Sequence, residues 1–561
     1  MKKPSLSELT LREKIGQTTL VHSNQPGFKD LEKYPFGCMW ASGDLNFGIN
    51  MDEVNPDLNK RDKWLQSIEA VNAKLKVPIV RAGDCGMSLP PKEYGYVFDA
   101  MTVGATGDEE LAYERGALIG RMLRHYSINW LWSPVYDFYT GNIAGGGIGR
   151  TFSDEPELLF KMNMATVRGL NDQGVGATAK HFPGCDGMEY RDSHFSETRN
   201  LLTIEEWKAK QGKIFQDAID AGIESIMTGH SCFPAVDNTM HNGRYVPTSL
   251  SYKIVTKLLK EEMGFKGVVI TDDVWMRSVL TYCDDDRARV YIDSINAGND
   301  IVLGVLQDYI DIIEDAVNRG EISMERIDDA CQRVLDLKER IGLFDDNYEL
   351  CPGDLDKLNA DMQDFCDRAA KKAISLVCDK KKLLPLNKDK IKKVCIIYSG
   401  HDTESESPSS AYAHMQVMVK EFENRGAEVH FQHGLLNSYA SEAELKEISE
   451  NYDLIVYAGF LDRWQPHGIS SFYGKEISTF QNALRYGTEK SIGIGLRSPF
   501  VYFNFCSAFP AYINTYNHQP ELLKATVAAM YGEISFQGGE PFKLVPKHVR
   551  ERLEMFGKNE I

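Results

Sequence analysis

Residues 175–194, VGATAKHFPGCDGMEYRDSH, begin as an apolar run and end in charge. VGATAKH has the length and composition of a buried strand. Pro183 and Gly184 then force a turn, so Lys180 and His181 should project from the strand's C-terminal edge. α/β enzymes place their chemistry at that edge. The same pattern recurs along the chain: VPIVRAGD ends at Asp84, INWLWSPVYD at Asp137, IESIMTGH at His230 and GVVITDD at Asp272, and DIVLGV follows near residue 301. Between these runs, EELAYERGALIGRMLRHY and TIEEWKAKQGKIFQDAIDAG have helical periodicity. Strands alternating with helices predict a parallel barrel or a doubly wound sheet over residues 1–345.

Residues 346–390 read as a linker that wraps back, and residues 391–545 as a second α/β unit. Its strand candidates are KKVCIIYSG, AEVHFQHG, DLIVYAGF and KSIGIGLRS. Residues 546–561 are charged and read as a peripheral tail.

Composition narrows the function. The net charge of -18 argues against a nucleic-acid partner, which needs a basic face, and against docking on an anionic membrane. No apolar run is long enough to span a bilayer. The eleven cysteines are scattered, without a C-x-x-C pair, which fits free thiols in a reducing compartment. The opening MKKPSLSELTLREKIGQ has no apolar stretch behind its lysines and does not read as a signal peptide. The expectation is a cytoplasmic protein. No H-E-x-x-H and no Cys/His cluster at ligand spacing occurs, so neither a metal nor another cofactor is expected.

Several residues could carry chemistry. The loop 180–194 holds Lys180, His181, Asp186, Glu189, Asp192 and His194. A solvated loop is the bland reading, but a Lys-His pair closing a strand is out of place in an apolar barrel. In Asp192-Ser-His194, the carboxylate can fix the ring's tautomer and stabilise its imidazolium. A surface D-x-H without a role is the alternative. Asp272 and Asp273 close GVVIT, and one should point into the mouth while its neighbour points away. Asp273 suits a helix N-cap better than Asp272 does. Arg150 lies in IAGGGIGRTFSDEPELL, whose glycines could bring it over a pocket. A phosphate-cradling loop is the competing idea, but the nucleotide-binding glycine patterns are missing.

Taken together, K-H-F-P-G, D-S-H and V-V-I-T-D-D in this order resemble glycoside hydrolase family 3, most closely its β-N-acetylglucosaminidase branch. TLREKIGQ, WSPVYD, IGRTFSDEPE and IMTGHSCFPAVD extend the resemblance along the chain. It implies a (β/α)8 barrel followed by a smaller α/β sandwich domain, and a retaining mechanism. Asp272 would be the nucleophile, with His194 as acid/base oriented by Asp192. Asp84, Arg150, Lys180 and His181 would contact sugar hydroxyls, with His230 as a further candidate and Asp137 as a support for Arg150 or Lys180. The implied partner is a small carbohydrate, an N-acetylglucosaminide.

The sequence departs from the branch after Asp84, where CGMSLPPK places Lys92 at the spacing of a usual arginine. Cys185-Asp186 replaces His-Gly in a loop one residue longer than usual. The arginine segment carries extra glycines. GFLDRWQP has no glutamate before Asp462-Arg463, where glucosidases of the family place their acid/base. A family 3 β-glucosidase or xylosidase, an N-acetylglucosaminide phosphorylase and an inactive sugar-binding homologue remain as alternatives.

Overall fold

The computed structural model describes residues 2–23, 30–41, 55, 57–84, 96–138, 149–184, 189, 191–400, 402, 407, 409–435, 442–461, 472, 475–544 and 555. Contacts divide the chain into two interleaved compact units. The first comprises Met1–Val97, Ala112–Phe138 and Phe160–Met362. The second comprises Phe98–Leu111, Tyr139–Leu159 and Gln363–Ile561.

In the first unit, eight parallel strands run in sequence order: β1 (Thr19–His22), β2 (Cys38–Trp40), β3 (Val80–Asp84), β4 (Trp130–Trp132), β5 (Gly176–Phe182), β6 (Ser225–Thr228), β7 (Val268–Thr271) and β8 (Val302–Leu303). β8 pairs with β1, and a parallel bridge between Ile270 and Ile301 joins β7 to the start of β8. The expected barrel is therefore present. Leu20, Cys38, Val80, Ala82, Trp130, Trp132, Met227, Val268, Ile270 and Leu303 pack together as its core. Each fully buried large side chain there contributes about 1.5–3 kcal/mol relative to exposure.

Strand periodicity carries this core towards the mouth. Two residues beyond Leu20 is His22, beyond Cys38 is Trp40, beyond Ala82 is Asp84, and beyond Ile270 is Asp272. The inward face thus changes from apolar to polar at the C-terminal ends. Thr178 follows the same register towards Lys180, and its hydroxyl shares a 2.8 Å hydrogen bond with Ser225, which accepts the Trp130 indole N–H at 3.0 Å.

The helix expected over TIEEWKAKQGKIFQDAIDAG is two helices, Ile204–Ala209 and Gln211–Asp220. Lys210 leaves helical geometry at φ -125° and ψ -93°. Gly212 lies so close to Trp207 that a β-carbon there would sit 2.7 Å from the ring. Periodicity does not record that close approach. A Thr203–Glu206 capping box starts the first helix.

The second unit holds a six-stranded sheet: β9 (Ser375–Asp379), β10 (Lys393–Gly400), β11 (Glu428–His433), β12 (Leu454–Phe460), β13 (Ser491–Gly495) and β14 (Ala511–Asn514). The spatial order is β9-β14-β13-β12-β10-β11, with β9 antiparallel and the remaining pairs parallel. This is the expected α/β sandwich. Residues 346–390 contain the helix Leu355–Ala373 and the edge strand β9, so the segment contributes regular structure to the units it joins. Among the described residues, no helix is long and apolar enough to cross a membrane.

Candidate active site

Side chains from the ends of β3, β4, β5 and β7 meet. Lys180, whose side chain is 2% exposed, places Nζ 2.5 Å from Asp84 Oδ1. A buried ammonium needs such a partner, because desolvation otherwise outweighs its charge. His181 Nδ1 lies 2.6 Å from Asp137 Oδ2, and its Nε2 faces Asp272 Oδ2 at 3.8 Å. Side chains of consecutive strand residues would normally diverge. Here the pairing of β5 with β6 slips between Lys180 and Phe182, and such an irregularity re-aims side chains at barrel rims. Asp137 thus supports His181, a pairing that sequence separation did not reveal.

Asp272 is held by its backbone and by its neighbours. Its amide donates to Thr228 O at 2.8 Å, and its Oδ1 accepts the Asp273 amide at 2.8 Å. Burial alone would raise its pKa. His181 foremost, then His230, the Asp273 amide and Lys180 outweigh burial and hold it down to about 2. The carboxylate is ionised at neutral pH, as a nucleophile requires, and its side chain remains 23% exposed. Asp273 Oδ1 instead accepts the Trp275 amide at 2.9 Å, closing the turn before the helix Arg277–Tyr282, while its Oδ2 sits 4.0 Å from His22 Nε2. The N-cap of that helix is Met276, so Asp273 is not the N-cap that the sequence suggests: its carboxylate is taken up by the turn three residues ahead of the helix.

His194 and Asp192 form the expected dyad. His194 Nδ1 is 2.7 Å from Asp192 Oδ1, which also accepts the His194 amide at 2.9 Å. A carboxylate only accepts, so Nδ1 carries the proton and proton exchange falls to Nε2. The His194 side chain is 39% exposed, whereas that of Asp192 is buried. The dyad is anchored to the segment after β7: Arg277 N donates to His194 O at 3.1 Å and Ser278 N to Ser193 O at 3.3 Å. Glu189 braces the same loop through Arg191 at 2.6 Å and the Arg199 amide at 2.8 Å.

His230 is buried just past the end of β6, with Ser249 Oγ 2.7 Å from Nδ1 and Asp273 O 2.9 Å from Nε2. Arg150 follows Gly149, whose φ of 91° is in the left-handed region, and both belong to the second unit. There the Gly149 carbonyl accepts the Met101 amide at 3.4 Å. Lys92, Asp186, Asp462 and Arg463 lie outside the described residues.

Aromatic rings stand beside these groups at the strand ends, a feature beyond the polar residues that strand spacing predicts. His22 and Trp40 have ring centroids 4.4 Å apart, and Trp40 and Trp132 are 5.3 Å apart. The signal was present in TTLVH, an apolar run closing on a histidine. Among the described residues, no three His, Cys, Asp or Glu side chains gather as a cage for a metal ion.

Comparison with known proteins identifies the class. Residues 10–337 match the N-terminal domain of glycosyl hydrolase family 3. The chain belongs to this family of glycoside hydrolases. It is 25% identical over 486 residues to a β-N-acetylglucosaminidase/β-glucosidase of Cellulomonas fimi, covering 85% of each chain. Among solved structures, the β-glucoside phosphorylase BglX superposes with a TM-score of 0.80 at 22% identity, covering 97% of this chain and 95% of that one. A family 3 β-N-acetylglucosaminidase from Paenibacillus sp. str. FPU-7 gives 0.75 at 23% identity, covering 96% and 100%. The two structural likenesses show the fold.

Proposed function

We propose that this chain removes terminal β-linked N-acetylglucosamine with retention of configuration. The observation that carries the reading is the His194–Asp192 pair at 2.7 Å, on a loop bonded to the backbone just past Asp272. In the first step, Asp272 attacks the anomeric carbon while His194 Nε2 protonates the departing oxygen, giving a covalent glycosyl-enzyme. In the second, the neutral imidazole takes a proton from water, which attacks that carbon and releases Asp272. Asp192 stabilises the imidazolium in each protonated state.

Asp84, Lys180 and His181 hold the sugar's hydroxyls, with Lys92 as a further contact. The Asp84–Lys180 pair offers an acceptor and a donor side by side, which suits vicinal hydroxyls. Residues 1–345 then form the catalytic portion and residues 391–545 an accessory α/β domain. A cytoplasmic enzyme of this kind would suit recycling of imported cell-wall fragments, and recovery of the native protein from medium or envelope would end that assignment.

Phosphorolysis is the second reading. The likeness to the β-glucoside phosphorylase supports it, and so does the acid/base, since an imidazole repels phosphate less than a carboxylate would. The test compares kcat/KM on p-nitrophenyl β-N-acetylglucosaminide and β-glucoside, with and without phosphate, for wild type and Asp272→Ala. Preference for the acetamido sugar, indifferent to phosphate and lost by on the order of 10⁴-fold in Asp272→Ala, is the expected result. Preference for glucoside would reassign the substrate. Sugar 1-phosphate as product would make the chain a phosphorylase. No turnover of either would leave a sugar-binding protein.

A further inference from the structure

We infer that His230 is a positioning residue for Asp272, acting through the backbone of Asp273, and does not contact the sugar; this rests on Asp272 as the nucleophile. Both ring nitrogens are already committed. A carbonyl oxygen only accepts, so the 2.9 Å contact with Asp273 O makes Nε2 the N–H of the ring. Nδ1 is then an acceptor, and the Ser249 hydroxyl 2.7 Å away donates to it. Burial, the largest influence on His230, holds its pKa below the ordinary value, so the ring is neutral at neutral pH and keeps this one tautomer.

The arrangement continues into a closed ring of hydrogen bonds around the nucleophile. The Asp272 amide donates to Thr228 O at 2.8 Å. The Thr228 hydroxyl donates to Asn299 Oδ1 at 2.9 Å, and Asn299 Nδ2 donates to Ser249 O at 2.7 Å. Ser249 returns the chain to His230 and so to the Asp273 carbonyl. Thr228, Ser249 and Asn299 are fully buried, and His230 is nearly so. The chain around Asp272 is thereby gripped at the N–H of one residue and the C=O of the next. Those two points govern where the carboxylate aims, because its Oδ1 is itself tied to the intervening Asp273 amide. A fully satisfied polar network of this kind permits one arrangement, whereas an apolar side chain at position 230 would leave the carbonyl without its donor.

The test uses His230→Ala, His230→Gln and Ser249→Ala on the full chain, assayed with p-nitrophenyl β-N-acetylglucosaminide and its monodeoxy analogues. A misdirected nucleophile lowers kcat by about 100-fold in His230→Ala while KM stays within about twofold. His230→Gln, whose amide N–H can reach the same carbonyl, recovers most of kcat. Ser249→Ala, which removes the donor to Nδ1 and leaves the Nε2 bond to Asp273 O, loses roughly tenfold. Each deoxy analogue keeps its wild-type penalty in every variant. If one analogue loses its penalty in His230→Ala, or if KM rises in step with the lost activity, His230 is a sugar contact and the inference fails. Wild-type kcat in Ser249→Ala and His230→Gln together with an unfolded His230→Ala would also overturn it, because the network would then be only structural. Trapping wild type with 5-fluoro-N-acetylglucosaminyl fluoride and mapping the label separates the two readings. A label elsewhere than Asp272 removes the nucleophile assignment itself. A label on Asp272 with an indifferent His230 removes only this inference.

Discussion

Asp272 at the mouth of the barrel and Asp300 at the opposite end are both aspartates at strand termini, and they are housed differently. Asp300 is fully buried. Its Oδ1 meets Lys260 Nζ at 2.7 Å and the Arg326 guanidinium, and its Oδ2 accepts the Val269 amide at 2.9 Å. Asp329 extends the network to Arg326 at 2.7 Å and Arg333 at 2.9 Å. Both of the Asp300 carboxylate oxygens are engaged by neighbours on a helix or strand. Asp272 has, among the described residues, one histidine edge at 3.8 Å and one amide, and its side chain is 23% exposed. The same side chain is consumed by packing at one end and left available at the other. Even so, burial wins at Lys260, pulling it down to about 8 despite Asp300.

Mutation should separate the two ends. Asp300→Asn removes the fully buried one of the two carboxylates that Lys260 and Arg326 share, leaving the half-exposed Asp329, and should lower unfolding free energy by about 3 kcal/mol, with kcat per folded molecule unchanged. Urea titration with active-site counting checks this, and a large loss of kcat at intact stability would erase the distinction. Asp272 offers a pH test. Its folded pKa of about 2 lies below the unfolded value of 3.8, so its contribution is present above about pH 4 and lost as pH falls towards 2. Relative to Asp272→Asn, wild type should lose about 2 kcal/mol over that window. Parallel pH profiles of the two proteins would mean the mouth does not hold its carboxylate as described. At the smallest scale, the Lys208–Glu262 pair is 2.5 Å long but more than half exposed on each side. Lys208→Ala should shift Tm by less than about 2 °C. A larger shift would show that surface pairs, and not only the closed end, carry stability.

The barrel was legible because its mouth residues follow apolar runs, and Asp84, Lys180, His181 and Asp272 come together as strand ends do. The dyad was legible because its members are two residues apart. Asp137 with His181 and Ser249 with His230 were not. Their partners are set by which strands are neighbours and by a local slip of register, and neither leaves a trace in spacing. The break at Lys210 escaped because a glycine facing a tryptophan ring looks, in sequence, like any tolerated glycine in a helix.

The interleaving of the units has a consequence for synthesis. Asp99 pairs with Arg497 and accepts Asn517 Nδ2 at 3.0 Å, Ser153 donates to Pro541 O at 2.6 Å, and the Gly539 amide donates to Ala105 O at 2.8 Å. The early halves of these pairs leave the ribosome roughly 20–80 s before the late ones at ordinary elongation rates. Throughout that interval the nascent chain carries Asp99, Ala105 and Ser153 without the groups that complete them. A chain stopped at residue 362 would keep them so permanently, which makes the terminal third of the protein a condition for finishing work begun in its first.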